Sequence, residues 1–154
     1  MSITIEKELP TTPEAMQMIG ELDATLGALY DAENRYGYDV QKLIDQGVHF
    51  FMVRVDGRPA GCGGVQIFPD DDPPYAELKR MYINPEFRGL GLAKKLLTML
   101  EKTAADHNIT FLRLETGIHQ HEAIGLYKHW GFAERGPFGE YEGVEVNLYY
   151  EKTI

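Results

Sequence analysis

The feature that most constrains the fold of this chain is a short loop with two glycines, Gly89 and Gly91, between two patterned segments. Residues 75–83 predict a strand that ends at Asn84-Pro85, because proline cannot continue a hydrogen-bonded ladder. From Gly91 to about Ala105, apolar residues recur at helical spacing: Leu92, Leu96, Leu97 and Leu100. The chain is therefore expected to run from a strand through a glycine loop into a helix.

A loop of this kind, at residues 88–93, favours an anion such as a phosphate. Glycine lets the backbone approach a ligand, and a helix N-terminus offers free N–H groups with positive partial charge. Arg88 and Lys94 add charge at the rim. A Walker A loop is excluded because no Gly-Lys-Ser/Thr closes the segment, and a dinucleotide fingerprint needs a glycine where Lys94 stands. A glycine turn that merely enters a helix is the alternative.

The rest of the pattern predicts a single mixed α/β domain over residues 1–154. Thr12 and Pro13 mark the start of one helix, Asp39 caps a second, short helix, and Asp56-Gly57 predicts a hairpin turn. Strands are expected at 3–5, 48–55, 59–68, 75–83, 109–115 and 144–151. Helices are expected at 13–29, 39–44, 91–105 and 122–130. The order is strand, two helices, three antiparallel strands, helix, strand, helix and final strands.

Composition limits the class of partner. The net charge of −9, from 24 acidic and 15 basic residues, argues against nucleic acid as a partner, since binding of its phosphates needs concentrated Lys and Arg. The same charge favours a cationic small substrate through long-range attraction. Apolar runs fall far short of the roughly 20 residues that span a bilayer, so no membrane partner is expected. A single cysteine, Cys62, and an N-terminus without signal-peptide regions predict a cytoplasmic protein.

Two motifs resemble those of a known family. Arg88-x-x-Gly91-x-Ala93, preceded by Met81-Tyr82-Ile83-Asn84-Pro85-Glu86-Phe87, resembles the acetyl-CoA signature of the GNAT superfamily of N-acetyltransferases. Residues 123–132, Ala-Ile-Gly-Leu-Tyr-Lys-His-Trp-Gly-Phe, resemble its other hallmark, Ala-Ile-x-Leu-Tyr-x-x-x-Gly-Phe. The resemblance covers about residues 48–132 well and the N-terminal helices only by arrangement. It implies an α/β fold with a single mixed, mostly antiparallel sheet flanked by helices on both faces, and acetyl-CoA as co-substrate.

The resemblance also implies which residues bind acetyl-CoA. They are Met81, Tyr82, Ile83, Arg88, Gly89, Leu90, Gly91, Leu92, Ala93, Lys94 and Gln120. Gln120 departs from the family pattern, which often has Asn at this position. Glutamine carries the same amide on a longer arm, so a contact to the cofactor is one interpretation and an ordinary loop glutamine is the other.

The chemistry of amide formation needs proton transfers. Only a neutral amine attacks a thioester, and an alkyl amine with a pKa near that of Lys, about 10.4, is almost wholly protonated at pH 7. The resemblance suggests that the Met81 N–H stabilises the oxyanion and that Tyr127 is the general acid for the departing thiolate. The alternative for Tyr127 is a core aromatic on its helix.

The candidate base is Glu77. Side chains alternate along a strand, so Glu77, Lys79, Met81 and Ile83 are expected on one face, with the carboxylate four residues before the oxyanion donor. Glu115, near the end of the next strand, is the competing base. Either acid could instead form a surface salt bridge, and family members also work through water without a single base.

Two further groups of side chains have plainer interpretations. No metal site is expected, because no Cys or carboxylate array accompanies the nearby histidines His119, His121 and His129. Three tyrosines either line an acceptor pocket or pack in the core: Tyr30, Tyr36 and Tyr38.

The combined prediction is an enzyme that acetylates the primary amine of a small molecule by direct attack of the amine on acetyl-CoA. One alternative acceptor is a protein N-terminus or lysine. A non-catalytic acyl-CoA-binding sensor domain is the alternative from another class. A homodimer is an open possibility.

Overall fold

The computed structural model describes residues 1–29, 38–141, 143 and 146–154. Within them one sheet has seven strands, in the order β1-β2-β3-β4-β5-β7-β6. The strands are β1 (Ile3–Lys7), β2 (His49–Val55), β3 (Arg58–Phe68), β4 (Tyr75–Ile83), β5 (Phe111–Gly117), β6 (Ala133–Arg135) and β7 (Asn147–Thr153). The helices are α1 (Pro13–Leu29), α2 (Val40–Asp45), α3 (Leu92–Asp106) and α4 (His121–His129), with a short 3-10 helix at Pro85–Phe87.

Helices cover both faces of the sheet. Neighbouring residues of β2 point to opposite faces. Phe51 packs in a cluster with Leu96 of α3, whereas Met52 packs in a second cluster with Met18 of α1. The first side, called the α3 face below, also carries α4, and the second, the α1 face, also carries α2. The predicted fold class is confirmed.

The sheet is antiparallel except where β4 meets β5. These two strands run parallel and form ladder pairs only between Ala76 and Leu112 and between Glu77 and Arg113, as far as the described residues show. The six residues of β4 that follow Glu77 have no ladder partner in β5, so the two strands separate beyond Glu77. The sheet therefore opens between β4 and β5.

Most predicted boundaries are correct because local signals set them. The Thr12 hydroxyl accepts from the Ala15 N–H at 3.2 Å and starts α1 at Pro13, and the Asp39 carboxylate accepts from the Lys42 N–H at 2.8 Å and caps α2. The strand predicted from residue 109 instead begins at residue 111, since the Ile109 N–H donates to the Ala104 carbonyl at 3.1 Å and closes the end of α3.

The end of the chain differs from the prediction as well. The strand expected at 144–151 is β7, Asn147–Thr153, and Val144 lies outside the described residues. A short strand, β6, pairs with β7 through Ala133 to Glu151 and was not separately predicted. Three residues give too short a pattern for periodicity to detect.

The face expected for the second half of β4 is wrong. Lys79 pairs with Gly64 and Tyr82 with Cys62, so Arg80 and Met81 together stand opposite one residue of β3. This β-bulge inserts one residue and reverses the alternation beyond it. Met81 and Ile83 consequently pack on the α3 face, while Glu77 and Lys79 lie on the α1 face with Tyr38 and Tyr141.

Candidate active site

A cleft of about 610 Å³ opens where β4 ends and α3 begins. The second half of β4 and the glycine loop form one wall, and α4 with the residues before it forms another. The C-terminal half of α1 closes a third side through Leu22, Thr25 and Leu29. Both motif segments thus meet at one cavity, which is within the usual size range for a small-molecule site.

The glycine loop has the backbone conformation that its sequence predicts. Gly89 and Gly91 have φ values of +83° and +73°, in the left-handed region that side chains disfavour. A Cβ atom on either residue would meet no protein atom within 4 Å. Backbone conformation therefore requires glycine here, and the space beside the loop is open for a ligand.

The N-terminus of α3 lies beside this space, and no hydrogen bond from its first three N–H groups is found within the described part of the chain. Gly91 is the N-cap and provides no side-chain cap. The first N–H of the helical ladder is that of Lys95, which donates to the Gly91 carbonyl at 3.2 Å. The N–H groups of Leu92, Ala93 and Lys94 precede it and line the cleft. Such donors carry positive partial charge and fit a pyrophosphate.

The predicted cofactor residues gather at the cleft with one exception. All of them line it except Leu90, which is 37% exposed at the loop tip. Arg88 forms an exposed ion pair with Glu122 at 2.9 Å, which links the glycine loop to the first turn of α4. The Gln120 side-chain oxygen accepts from the Gly117 N–H at 2.8 Å and shapes the turn before α4.

Sequence reasoning missed the contribution of α1. Leu22 and Leu29 belong to an apolar stripe that recurs at helical spacing along this helix. The stripe is buried from Ala15 to Leu22, but Leu29 is 41% exposed and lines the cleft. An apolar stripe longer than its packing partner was the signal that could have found these residues.

Tyr127 lies on the inner wall of the cleft. Its ring packs edge-on against Phe132 at 5.6 Å between centroids, and its hydroxyl lies 3.9 Å from the Met81 sulfur. Burial raises the pKa of Tyr127 above its ordinary value, and the nearby Glu115 charge raises it further. The phenol therefore remains protonated at neutral pH and can donate.

Glu77 lies outside the lining of this cleft. The carboxylate is 2.9 Å from the Lys79 ammonium and accepts a hydrogen bond from the Tyr141 hydroxyl. Burial raises the pKa of Glu77, although Lys79 and Tyr141 oppose that shift. The same ammonium lies 3.9 Å from the centre of the Tyr38 ring. Tyr38 is buried among these groups, whereas Tyr30 and Tyr36 lie outside the described residues.

Glu115 also lies outside the lining of this cleft, but its carboxylate has different neighbours. It lies two residues beyond Arg113, the last residue of β5 that pairs with β4. Leu114 points to the α3 face, so Glu115 points to the α1 face, as Glu77 does. Burial, together with the Glu77 charge, raises the pKa of Glu115 to about 7. No hydrogen bond or ion pair to its carboxylate is found among the described residues.

The histidines do not form a metal centre within the part of the chain that the structure describes. No group of three His, Cys, Asp or Glu side chains there is arranged to hold a metal ion. His119 and His121 instead line the cleft beside Gln120. Nor is any described helix long and apolar enough to pass through a membrane.

Gly91→Val is expected to weaken CoA binding at least about tenfold, because forcing a branched side chain to this φ costs about 1–3 kcal/mol and displaces the N–H groups that follow. Calorimetric titration with CoA measures the effect. Gly57→Val is the matched control, since Gly57 has a φ of +80° and open space but lies in the β2–β3 turn. Undiminished affinity in a folded Gly91→Val protein would contradict the prediction.

Comparison with known proteins agrees with this geometry. Residues 17–132 match the sequence model of the acetyltransferase (GNAT) family. A protein of Azospirillum brasilense named IAA acetyltransferase is 39% identical over 99% of this chain and 99% of its own. A candidate acyl-CoA N-acyltransferase from Klebsiella pneumoniae superposes with a TM-score of 0.81 at 35% identity, covering 98% of this chain and 97% of that one. The PaiA N-acetyltransferase from Thermoplasma acidophilum, solved in complex with coenzyme A, shares the fold over 100% of both chains, with a TM-score of 0.77 at 22% identity. The chain is therefore an acetyltransferase of the GNAT family, with acetyl-CoA as its co-substrate.

Proposed function

We propose that the protein transfers the acetyl group of acetyl-CoA to the primary amine of a small molecule, by direct attack of the amine on the thioester. One observation carries the proposal. Met81 from the strand before the first motif and Tyr127 from the second meet in the cleft, with the Tyr127 hydroxyl 3.9 Å from the Met81 sulfur. Because both residues line the same cleft, we assign the oxyanion donor to the Met81 backbone N–H and the proton donor to the Tyr127 hydroxyl.

The chain has suitable residues for the pyrophosphate and for the pantetheine arm of acetyl-CoA. The free N–H groups of residues 92–94 bind the pyrophosphate, with Arg88 and Lys94 adding positive charge. Among the described residues, the edge of β4 that faces the opening pairs with no strand there, which supports a role for its backbone around Met81 and Ile83 in binding the pantetheine arm. When bound, the cofactor supplies an acyl group activated as a thioester.

The protein's own groups then move charge and protons. The Met81 N–H donates to the thioester carbonyl oxygen as that oxygen becomes negative. The Tyr127 hydroxyl donates its proton to the departing sulfur, and its raised pKa keeps it protonated until then. The attacking amine must also lose a proton. We expect the base that accepts this proton to lie beside the opening between β4 and β5, where the amine would approach the thioester.

Glu115 is better suited to be that base than Glu77. The Glu77 carboxylate is neutralised by Lys79 at 2.9 Å, whereas no such partner contacts Glu115 within the described residues. The Glu115 charge also raises the pKa of Tyr127, which supports a base close to the proposed acid. A base with a pKa near 7 is half ionised at neutral pH, which is close to the optimum for proton transfer.

A small acceptor is supported by the relative named IAA acetyltransferase, which matches over almost the whole chain. The net charge of −9 favours a cationic amine by long-range attraction. The test is a panel of amines with acetyl-CoA, followed by free CoA thiol release and by mass of the product. Release with peptides but not with small amines would indicate a protein acceptor. Binding of acetyl-CoA without release above hydrolysis would indicate a sensor domain.

A further inference from the structure

We propose that Arg80 is a positioning residue whose guanidinium fixes α1 to the β4 bulge and so sets the shape of the acetyl-CoA cleft. The proposal rests on the proposed function only in taking this cleft as the acetyl-CoA site. Arg80 itself is not among the residues that line the cleft. It acts through its neighbours Met81 and Tyr82, which do.

The backbone of Arg80 has a conformation that is uncommon for residues other than glycine. Its φ is +53°, in the left-handed region, where a non-glycine residue costs on the order of 1–3 kcal/mol. Its carbonyl accepts a hydrogen bond from the buried Cys62 thiol at 3.4 Å. This conformation is what allows two residues of β4 to stand opposite Gly63 and turns Met81 towards Tyr127. Surrounding contacts must therefore hold the bulge.

The side chain provides such a contact to α1. It is 3% exposed, and its Nη2 donates to the Ile19 carbonyl at 3.4 Å and pairs with the Asp23 carboxylate. The Arg80 Nε has no hydrogen-bond partner among the described residues. Burying a guanidinium with incomplete hydrogen bonding is costly, so its partners on α1 must outweigh a real desolvation penalty. A hydrophobic residue would fill this space without that cost.

A second set of hydrogen bonds connects the same turn of α1 to β4 and to the residue that follows it. The Glu21 carboxylate accepts from the Tyr82 hydroxyl at 2.9 Å and from the Asn84 side-chain amide at 2.6 Å. Leu22 lies between these two anchoring acids, Glu21 and Asp23, and lines the cleft. The β4 wall and the α1 wall are therefore held at a fixed spacing, and acetyl-CoA must fit between them.

The experiment compares three substitutions of Arg80 by CoA titration and by steady-state kinetics. Arg80→Met is expected to raise the Kd of CoA and the KM of acetyl-CoA about tenfold, because the spacing of the two cleft walls is no longer fixed by this contact. Arg80→Gly removes the side chain but permits the positive φ, and it is expected to bind CoA as weakly as Arg80→Met. Arg80→Lys restores part of the affinity.

Arg54→Met is the matched control for a lost buried ion pair. Arg54 joins β2 to Glu8 and to Glu14 in the first turn of α1, at 2.9 Å and 2.7 Å, away from the cleft. It is expected to lower Tm as much as Arg80→Met without changing the Kd of CoA. Wild-type affinity in Arg80→Gly would overturn the proposal by showing that only the backbone conformation matters, and equal losses of CoA affinity in Arg54→Met and Arg80→Met would show a general loss of stability. Because the CoA titration needs no turnover, a wild-type protein that binds CoA but acetylates no amine would contradict the proposed function and leave this test intact.

Discussion

Tyr127→Phe is expected to lower kcat by about 10²–10⁴-fold, the range for loss of a positioned general acid. The ring still packs against Phe132 and beside Met81, so the cleft keeps its shape and the Kd of CoA should change less than about threefold. The departing thiolate then leaves without a proton. Single-turnover measurements at saturating acetyl-CoA isolate this step from product release.

The matched control is Tyr150→Phe. Tyr150 is buried in the same hydrophobic cluster as Tyr127, and its hydroxyl has no hydrogen-bond partner in the described part of the chain. Losing that hydroxyl should leave kcat unchanged and the fold at least as stable, because an unsatisfied buried polar atom is removed. If Tyr127→Phe turns over acetyl-CoA at the wild-type rate when chemistry limits the reaction, Tyr127 is a packing residue and the thiolate leaves unaided.

The parts of the site that could be predicted from sequence are those that local physics determines. Gly89 and Gly91 adopt left-handed backbone conformations, and the helix after them begins where its apolar spacing begins. Thr12 and Asp39 cap helices through contacts only three residues along the chain. Signals of this kind need no knowledge of distant residues, which is why the glycine loop, the helix after it and most element boundaries were predicted to within one or two residues.

The bulge in β4 could not be predicted for the opposite reason. Arginine disfavours the left-handed region, so nothing near Arg80 in the sequence indicates its φ of +53°. Its side-chain partners lie far away in the chain, at Ile19 and Asp23 on α1. Strict alternation therefore placed Met81 on the face of Glu77, and one inserted residue moved it to the other.

The roles of the two glutamates could not be separated by sequence either. Both Glu77 and Glu115 are acids on neighbouring strands with similar flanking residues. Their difference arises where the β4–β5 ladder stops: Glu77 is at the last pair and bonds Lys79, and Glu115 lies beyond it. Tertiary environment, which sets a carboxyl pKa by burial and neighbouring charge, distinguishes the two carboxyl groups, and the sequence does not reveal it.

Glu115→Gln is expected to lower kcat/KM by about 10²–10³-fold above pH 7, where the wild-type carboxylate is ionised. The wild-type kcat/KM should rise with pH through an apparent pKa of about 7, and the variant should lose this limb. The amine titrates as well, so the profile is measured with two acceptors of different amine pKa. A limb due to Glu115 stays in place, whereas one due to the substrate moves.

The control for this experiment removes the neighbouring carboxylate. Glu77→Gln alone would leave the Lys79 ammonium buried without its partner, so it is combined with Lys79→Met. This double variant should keep the limb near pH 7 with little displacement, because it removes together the Glu77 charge that raises the pKa of Glu115 and the Lys79 charge that lowers it. A double variant without the limb, together with an unaltered profile in Glu115→Gln, would assign the role of base to Glu77.

The pH dependence of the free energy of unfolding tests the raised pKa of Glu115 independently of catalysis. Burial raises the pKa of Glu115 from 4.5 to about 7 on folding, so between these values the folded protein binds a proton that the unfolded chain has lost. The free energy of unfolding must then fall as pH rises through this window. Glu115→Gln removes that loss, and the variant should be more stable than wild type by about 1–3 kcal/mol near pH 8. Near pH 4 the glutamate is protonated in both states and the difference should vanish. Denaturant unfolding of both proteins near pH 8 and near pH 4 measures the difference in free energy of unfolding at each pH. A variant that is less stable than wild type near pH 8 would show that the ionised Glu115 carboxylate is stabilised by a favourable partner in the folded protein.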